Sequence, residues 1–197
     1  MDVKSTMLPL GTKMPNFSLF GIDEKKYTNN DYLDKKGILV MFICNHCPFV
    51  KHVNEELVNL TNELMEKNIG VIGINSNDST QEKYAEDSLE KMKEYASELN
   101  YKFPYVVDSD QSVAKSFTAQ CTPDFFLFGD NQELFYRGQL DSSRPGNDIP
   151  VNGESLRSAV DSLLENSDPP NPQLPSVGCN IKWKIGEEPE YFLNIKG

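Results

Sequence analysis

Few cysteines, few basic residues and no long apolar run set the first limits. Four cysteines in 197 residues are too few to staple a disulfide scaffold. In a reducing compartment, closely spaced cysteines point instead to catalysis or to metal. No stretch approaches the roughly 18 apolar residues of a membrane span. The N-terminal residues carry no apolar run of the kind a secretory leader has, so the cytoplasm is the expected location. Lys and Arg together number 19 against 30 Asp and Glu, a formal net charge of −11. An acidic field repels phosphate backbones and anionic headgroups, and no Lys/Arg cluster interrupts it. Nucleic acid and membrane are therefore excluded as expected partners. Tryptophan occurs once, at Trp183, and no internal repeat is present.

What is present is an alternation of strand and helix signals. Phe17, Leu19 and Ile22 suggest an extended entry segment, followed by a polar stretch over 23–36. Residues 38–43 form a continuous apolar run, the pattern of a strand buried on both faces. Val50, Val53, Leu57, Leu60 and Leu64 then fall at helical spacing and predict a helix over about 47–67. Pro48 suits its first turn, where an amide has no intrahelical partner. Residues 71–75 read as a second buried strand. A helix over 83–99 should turn Tyr84, Met92, Tyr95 and Leu99 inward. Residues 103–107 are a third strand candidate and 111–117 a short helix. Residues 124–128 and 133–136, around Gly129-Asp130-Asn131-Gln132, form a hairpin signature. Residues 154–164 close with a helix carrying Leu156, Val160 and Leu163. This order predicts an α/β domain with a central mixed sheet flanked by helices, over residues 1–165.

Residues 166–197 change character and predict an extended C-terminal tail packed on the domain. Pro169, Pro170, Pro172 and Pro175 stiffen its start. Cys179, Ile181, Trp183 and Ile185 then alternate with polar residues, so all four should face inward, with Trp183 as the anchor.

The chemistry concentrates at Cys44-Asn45-His46-Cys47. Two cysteines three apart at a helix start can close a small disulfide ring. A helix N-terminus presents unpaired N–H groups and partial positive charge, which favour thiolate over thiol. Cys44, expected to be exposed, is the candidate nucleophile. Cys47, one turn in, is the candidate resolving thiol. His46 lies inside the ring, where an imidazolium would stabilise a thiolate further and raise the reduction potential. Lys51 and His52 add possible positive charge. Cys44, His46, Cys47 and His52 could also serve zinc or copper(I). A structural zinc site wants four ligands with a second paired motif, which is missing, so no metal and no other cofactor is expected.

The stretch from Phe42 through Cys44, His46 and Cys47 to His52 resembles the redoxin branch of the thioredoxin-like superfamily, related to the alkyl hydroperoxide reductase/thiol-specific antioxidant group and to TlpA-type proteins. Cys121-Thr122-Pro123-Asp124-Phe125-Phe126 and Tyr136-Arg137-Gly138-Gln139-Leu140-Asp141 add to the match. Gly178-Cys179-Asn180-Ile181-Lys182-Trp183 is similar to the tail of redoxins with the same Cys-Asn-His-Cys centre. The resemblance implies a thioredoxin-like fold and a cis Pro123. It makes Thr122 and Pro123 a platform on which an incoming substrate chain pairs by its backbone. It implies a thiol–disulfide oxidoreductase acting on a protein or small-molecule thiol or disulfide, with a thiol-dependent peroxidase as the alternative. Two departures stand out. The peroxidase pattern of a threonine three residues before the reactive cysteine is missing. The strand before Cys44 also lacks the buried acid that thioredoxins use as proton acceptor, leaving a water, His46 or a more distant carboxylate to serve. Cys121 adjoins the platform, its side chain facing either Cys47 or the core. Cys179 either pairs with Cys121 or simply packs.

Overall fold

The structure is a computed structural model that describes residues 2–194. Fifteen regular elements follow one another along these residues. They are β1 (Asp2–Lys4), β2 (Ser18–Gly21), β3 (Lys26–Thr28), β4 (Gly37–Phe42), α1 (Pro48–Glu66), β5 (Ile69–Asn75), α2 (Leu89–Glu98) and β6 (Tyr105–Val107). Then come α3 (Ser112–Ser116), β7 (Cys121–Thr122), β8 (Asp124–Gly129), β9 (Leu134–Gly138), α4 (Glu154–Leu164), β10 (Val177–Asn180) and α5 (Glu190–Leu193).

Seven strands form the central sheet in the order β3-β2-β6-β5-β4-β8-β9. β4, β5 and β6 run parallel, while β8 lies antiparallel to β4. The expected mixed α/β sheet is what forms. β4 sits inside it and is buried at every residue, which is why its sequence is continuously apolar rather than alternating. Its side chains still alternate between faces. Leu39 and Met41, with Ile43 just beyond the strand, join the core under α1, α2 and α4. Ile38, Val40 and Phe42 join a second core with Phe117, Phe126 and Trp183.

α1 holds the functional loop against this sheet. Val50, Val53, Leu57, Leu60 and Leu64 are all buried on its inner face, at about 1.5–3 kcal/mol of hydrophobic stabilisation for each fully buried side chain. Cys47 is its N-cap and Pro48 its first residue. Strand β4 and helix α1 thus fix both ends of residues 44–47.

Three expectations are corrected. The helix expected over 83–99 is broken: a 3-10 segment, Glu82–Asp87, precedes α2, and Ser88 in extended conformation separates them. The break lets Asp87 turn inward and be buried. Tyr84 accordingly leaves the core and stacks on His46, ring centroids 5.5 Å apart. Ile185, expected inward, is 84% exposed. The tail strand ends at Asn180, so strand parity no longer governs residue 185. Ile181 and Trp183 are buried as expected, with Trp183 packed on Tyr191 and Phe192. The short strands β1 and β3 carry no signal the sequence reading picked up.

A second, three-stranded sheet runs β1-β10-β7. It joins the N-terminal residues, the tail and the segment before Pro123. Cys179 stands opposite Thr122 and Asn180 opposite Cys121. Gly178 is required by this packing: a Cβ there would lie 2.0 Å from the Thr122 carbonyl oxygen.

Candidate active site

Cys44 follows the last residues of β4, and Cys47 caps α1. Both are reduced and both are buried. The expectation of an exposed Cys44 is therefore corrected: it is only 1% exposed. The structural reason is the strand edge beyond it. The Thr122–Pro123 bond is cis, and the backbone of Thr122 is already paired to β10. The proposed platform for an incoming chain is occupied by this chain's own tail.

Thr122 touches both sulfurs. Its hydroxyl lies 3.3 Å from Cys44 Sγ, and its carbonyl accepts from Cys47 Sγ at 3.1 Å. Cys44 belongs to the apolar core with Ile43, Cys47 and Val50, and a polar cluster lies beside it. The Asn45 backbone N–H donates to Asp87 Oδ1 at 2.7 Å, and His46 Nδ1 lies 2.5 Å from Asp87 Oδ2. Asn75 and Asn77 donate their side-chain amides to the same carboxylate. The Cys44 sulfur, a His46 ring nitrogen and an Asp87 oxygen all lie within 4.8 Å of one another.

Asp87 is the functional residue that sequence reasoning missed. Burial works to raise its pKa, but His46, Asn77 and the Asn45 N–H outweigh it and hold the carboxyl below its ordinary range. It is therefore a carboxylate beside Cys44. It is a buried acid that the apolar strand β4 does not itself contain. Cys44 is pushed well above the ordinary thiol range by burial first, then by its bond with Cys47 and the charge of Asp87; the Thr122 hydroxyl works the other way. The expected electropositive setting for Cys44 is thus corrected, because His46 is spent on Asp87. Lys51 is exposed, and His52 Nε2 pairs with the Ser143 hydroxyl at 2.7 Å.

Cys47 faces sulfur instead. The neighbouring Cys179 and Cys44 thiols, in that order, hold Cys47 below the ordinary range. Cys179 is raised, chiefly by Cys47. As a thiol, Cys47 donates to the Thr122 carbonyl. Cys121 lies on the other face of β7. Its thiol turns to the Pro123 carbonyl at 3.6 Å. Burial, and then the nearby Asp124, push it well up. Cys121 is fully buried beside the Pro123 carbonyl, Ser5 and Asp124.

Cys44, His46 and Asp87 also form a three-donor group of metal-ligating type. Its carboxylate oxygens already accept four N–H donors, and a structural zinc site wants four ligands.

Comparison with known proteins gives the family. The redoxin family profile matches residues 9–153. This chain belongs to the redoxin family. A crystal structure of an uncharacterized conserved protein from Geobacillus kaustophilus is 51% identical, with a TM-score of 0.90, over 93% of this chain and 97% of that one. A hypothetical protein from Sinorhizobium meliloti is 40% identical, also with a TM-score of 0.90, over 93% of this redoxin and 99% of that chain. The thioredoxin domain of a thiol-disulfide oxidoreductase from Bacteroides vulgatus shares the fold at 17% identity, TM-score 0.58, over 77% and 97% of the two chains. No curated protein matches this redoxin. Family and fold together carry a thioredoxin-like redox function. Among the described residues no helix is long and apolar enough to cross a membrane.

Proposed function

We propose that this redoxin is a thiol–disulfide oxidoreductase in which Cys44 attacks and Cys47 resolves. The supporting observation is the asymmetry of the two sulfurs around Thr122. Cys44 has a polar flank with a carboxylate–imidazole pair in reach. Cys47 instead donates its thiol to the Thr122 carbonyl at 3.1 Å.

The Cys44 proton leaves toward the His46–Asp87 pair. The thiolate attacks one sulfur of a substrate disulfide, forming a mixed disulfide and releasing the other half as a thiolate that takes up a proton. Cys47 then attacks the Cys44 sulfur. The Cys44–Cys47 disulfide forms and the second substrate thiol leaves. Two electrons pass from the dithiol to the substrate, and the reverse sequence oxidises a substrate dithiol. Thr122 orients both sulfurs, since it contacts each. The substrate class is a protein or small-molecule thiol or disulfide.

The test is to react reduced Cys47→Ser with a small aromatic disulfide and map the adduct by mass spectrometry. The expected product is a stable mixed disulfide on Cys44, whereas the wild type releases it and closes Cys44–Cys47. An adduct on Cys121, or a wild type that keeps its adduct, would overturn the assignment. Hydrogen peroxide is the second reagent to try. Consumption no faster than by free cysteine is the outcome expected of an oxidoreductase, and fast consumption would favour the peroxidase.

A further inference from the structure

Cys179 stands where the Cys44–Cys47 pair can reach it, and nothing in the dithiol scheme uses it. It is opposite Thr122 in the β10–β7 ladder. Directly opposed residues of an antiparallel pair present their side chains on the same face. That face is the one from which the Thr122 hydroxyl contacts Cys44. The tail strand β10 also packs on α1, whose N-cap is Cys47, and the Cys179 side chain packs against the core that holds Cys44 and Cys47. Successive residues alternate faces, so Cys121, one residue before Thr122, points the other way.

Two more observations mark this contact as built. Gly178 packs so closely on the Thr122–Pro123 peptide that a Cβ would sit 2.0 Å from the Thr122 carbonyl oxygen and 2.7 Å from its carbon. Only glycine lets the tail lie this near the centre. Accessibility also differs among the four cysteines: Cys44, Cys47 and Cys121 are buried, and Cys179 alone is half-buried. The two motif cysteines are closed to solvent, and Cys179 is the one that is not.

We propose that Cys179 is a relay thiol that exchanges the active-site disulfide with Cys47 and carries it to the surface. This rests on the dithiol function proposed above and adds the route by which an external thiol reaches it. The Cys179 thiolate attacks the Cys47 sulfur of the Cys44–Cys47 disulfide. The Cys47–Cys179 bond forms, the Cys44–Cys47 bond breaks, and Cys44 leaves as a thiolate that takes the proton Cys179 gave up. This step is an isomerisation with no net oxidation. An external thiol then attacks the sulfur of Cys179, a residue only half-buried, and a second releases it. Two external thiols are oxidised to one disulfide, and Cys47 and Cys179 are reduced. The tail is at once strand and substrate: it occupies the edge of Thr122 and brings its own cysteine with it.

The experiment uses the full chain and four variants, Cys44→Ser, Cys179→Ser, Cys121→Ser and Cys44→Ser/Gly178→Ala. Each is oxidised with diamide, quenched in acid, alkylated and mapped by mass spectrometry. Cys44→Ser is expected to carry a Cys47–Cys179 disulfide, and Cys44→Ser/Gly178→Ala to lose it because the tail no longer seats. Dithiothreitol is then expected to reduce the oxidised wild type and oxidised Cys121→Ser at one rate and oxidised Cys179→Ser more slowly. Two free thiols at Cys47 and Cys179 in oxidised Cys44→Ser overturn the relay. Equal reduction rates of the wild type and Cys179→Ser overturn it as well. Cys179→Ser that forms no Cys44–Cys47 disulfide strikes the dithiol function itself, and the relay falls with it.

Discussion

Two aspartates are buried beside the centre, each next to a cysteine, and they have opposite fates. Asp87 is 3% exposed and Asp124 is fully buried. Asp87 accepts from the Asn45 backbone, His46, Asn75 and Asn77. Its carboxyl is held below the ordinary range despite its burial. Asp124 takes the Ser5 hydroxyl at 2.7 Å on one oxygen, and its other oxygen has no hydrogen-bond partner. Burial pushes it up to about 7, against the smaller pull of Ser5. Burial alone therefore does not decide charge. The donors and the imidazole that face the carboxylate weigh against it. The difference also separates the two cysteines: Asp87 is a fixed charge beside Cys44, whereas Asp124 titrates beside an inert Cys121.

The largest break in this comparison is Asp87→Ala. It strands the Asn45 backbone N–H and the Asn77 amide, each at about 1–3 kcal/mol if left buried and unpaired, while the Asn75 amide keeps the Tyr105 hydroxyl. Chemical denaturation should show a loss of several kcal/mol, on the order of 3 or more. Asp87→Asn separates charge from packing. Without the carboxylate the Cys44 thiol should ionise at lower pH, read from the pH profile of alkylation under native conditions. If the reading of Asp87 as proton acceptor holds, turnover with a small disulfide should nevertheless fall roughly 10²-fold or more. An unshifted alkylation profile would refute the charge coupling between Asp87 and Cys44.

Asp124→Asn comes next and should move stability the other way. A carboxyl whose folded pKa is raised binds its proton more tightly in the native state. Stability from this group is full below about 4 and declines as pH rises toward 7. The loss is on the order of a few kcal/mol for a shift of this size. Asp87 acts with the opposite sign: its folded pKa is lowered, so its contribution is present above about 4 and is lost as pH falls through its folded pKa. Urea midpoints measured from pH 4 to 8 should therefore decline in the wild type and flatten in Asp124→Asn. A slope that persists in the variant would assign it to another group.

The sequence announces some of this site and hides the rest, for physical reasons. Residues 38–43 and the stripe from Val50 to Leu64 are local patterns, so the strand, the helix and the motif between them are readable. The pairing of β8 with β9 is readable because its turn is short. Asp87 is not, because it sits among Glu82, Glu86 and other polar residues of an exposed segment, where one acid looks like the next. Its inward turn depends on the break at Ser88 and on Asn45, Asn75 and Asn77, which only the folded sheet brings together. The alternation from Cys179 onward gave the tail's parity but not its partner. Strand β10 has four residues and pairs with a two-residue β7 more than fifty positions away, and the close approach of Gly178 has no sequence signal beyond being a glycine. The exposure expected of Cys44 failed for that same reason.

Ser5→Ala is the smallest and sharpest test of the donor-count argument. The Ser5 hydroxyl donates to Asp124 and also accepts the Ser176 N–H at 2.9 Å. It ties the end of β1, the tail and the residue after Pro123 into one knot. Removing it costs roughly 1–3 kcal/mol, two ordinary hydrogen bonds at about 0.5–1.5 kcal/mol each. It also takes from Asp124 a donor that lowers its pKa. If donors decide charge, the Asp124 titration should rise above its wild-type position of about 7, and the declining part of the stability profile should extend to higher pH. Carboxyl carbon NMR of the titrating Asp124 reads the midpoint directly. A midpoint unchanged in Ser5→Ala would mean that burial alone sets this carboxyl, and the contrast with Asp87 would need another cause.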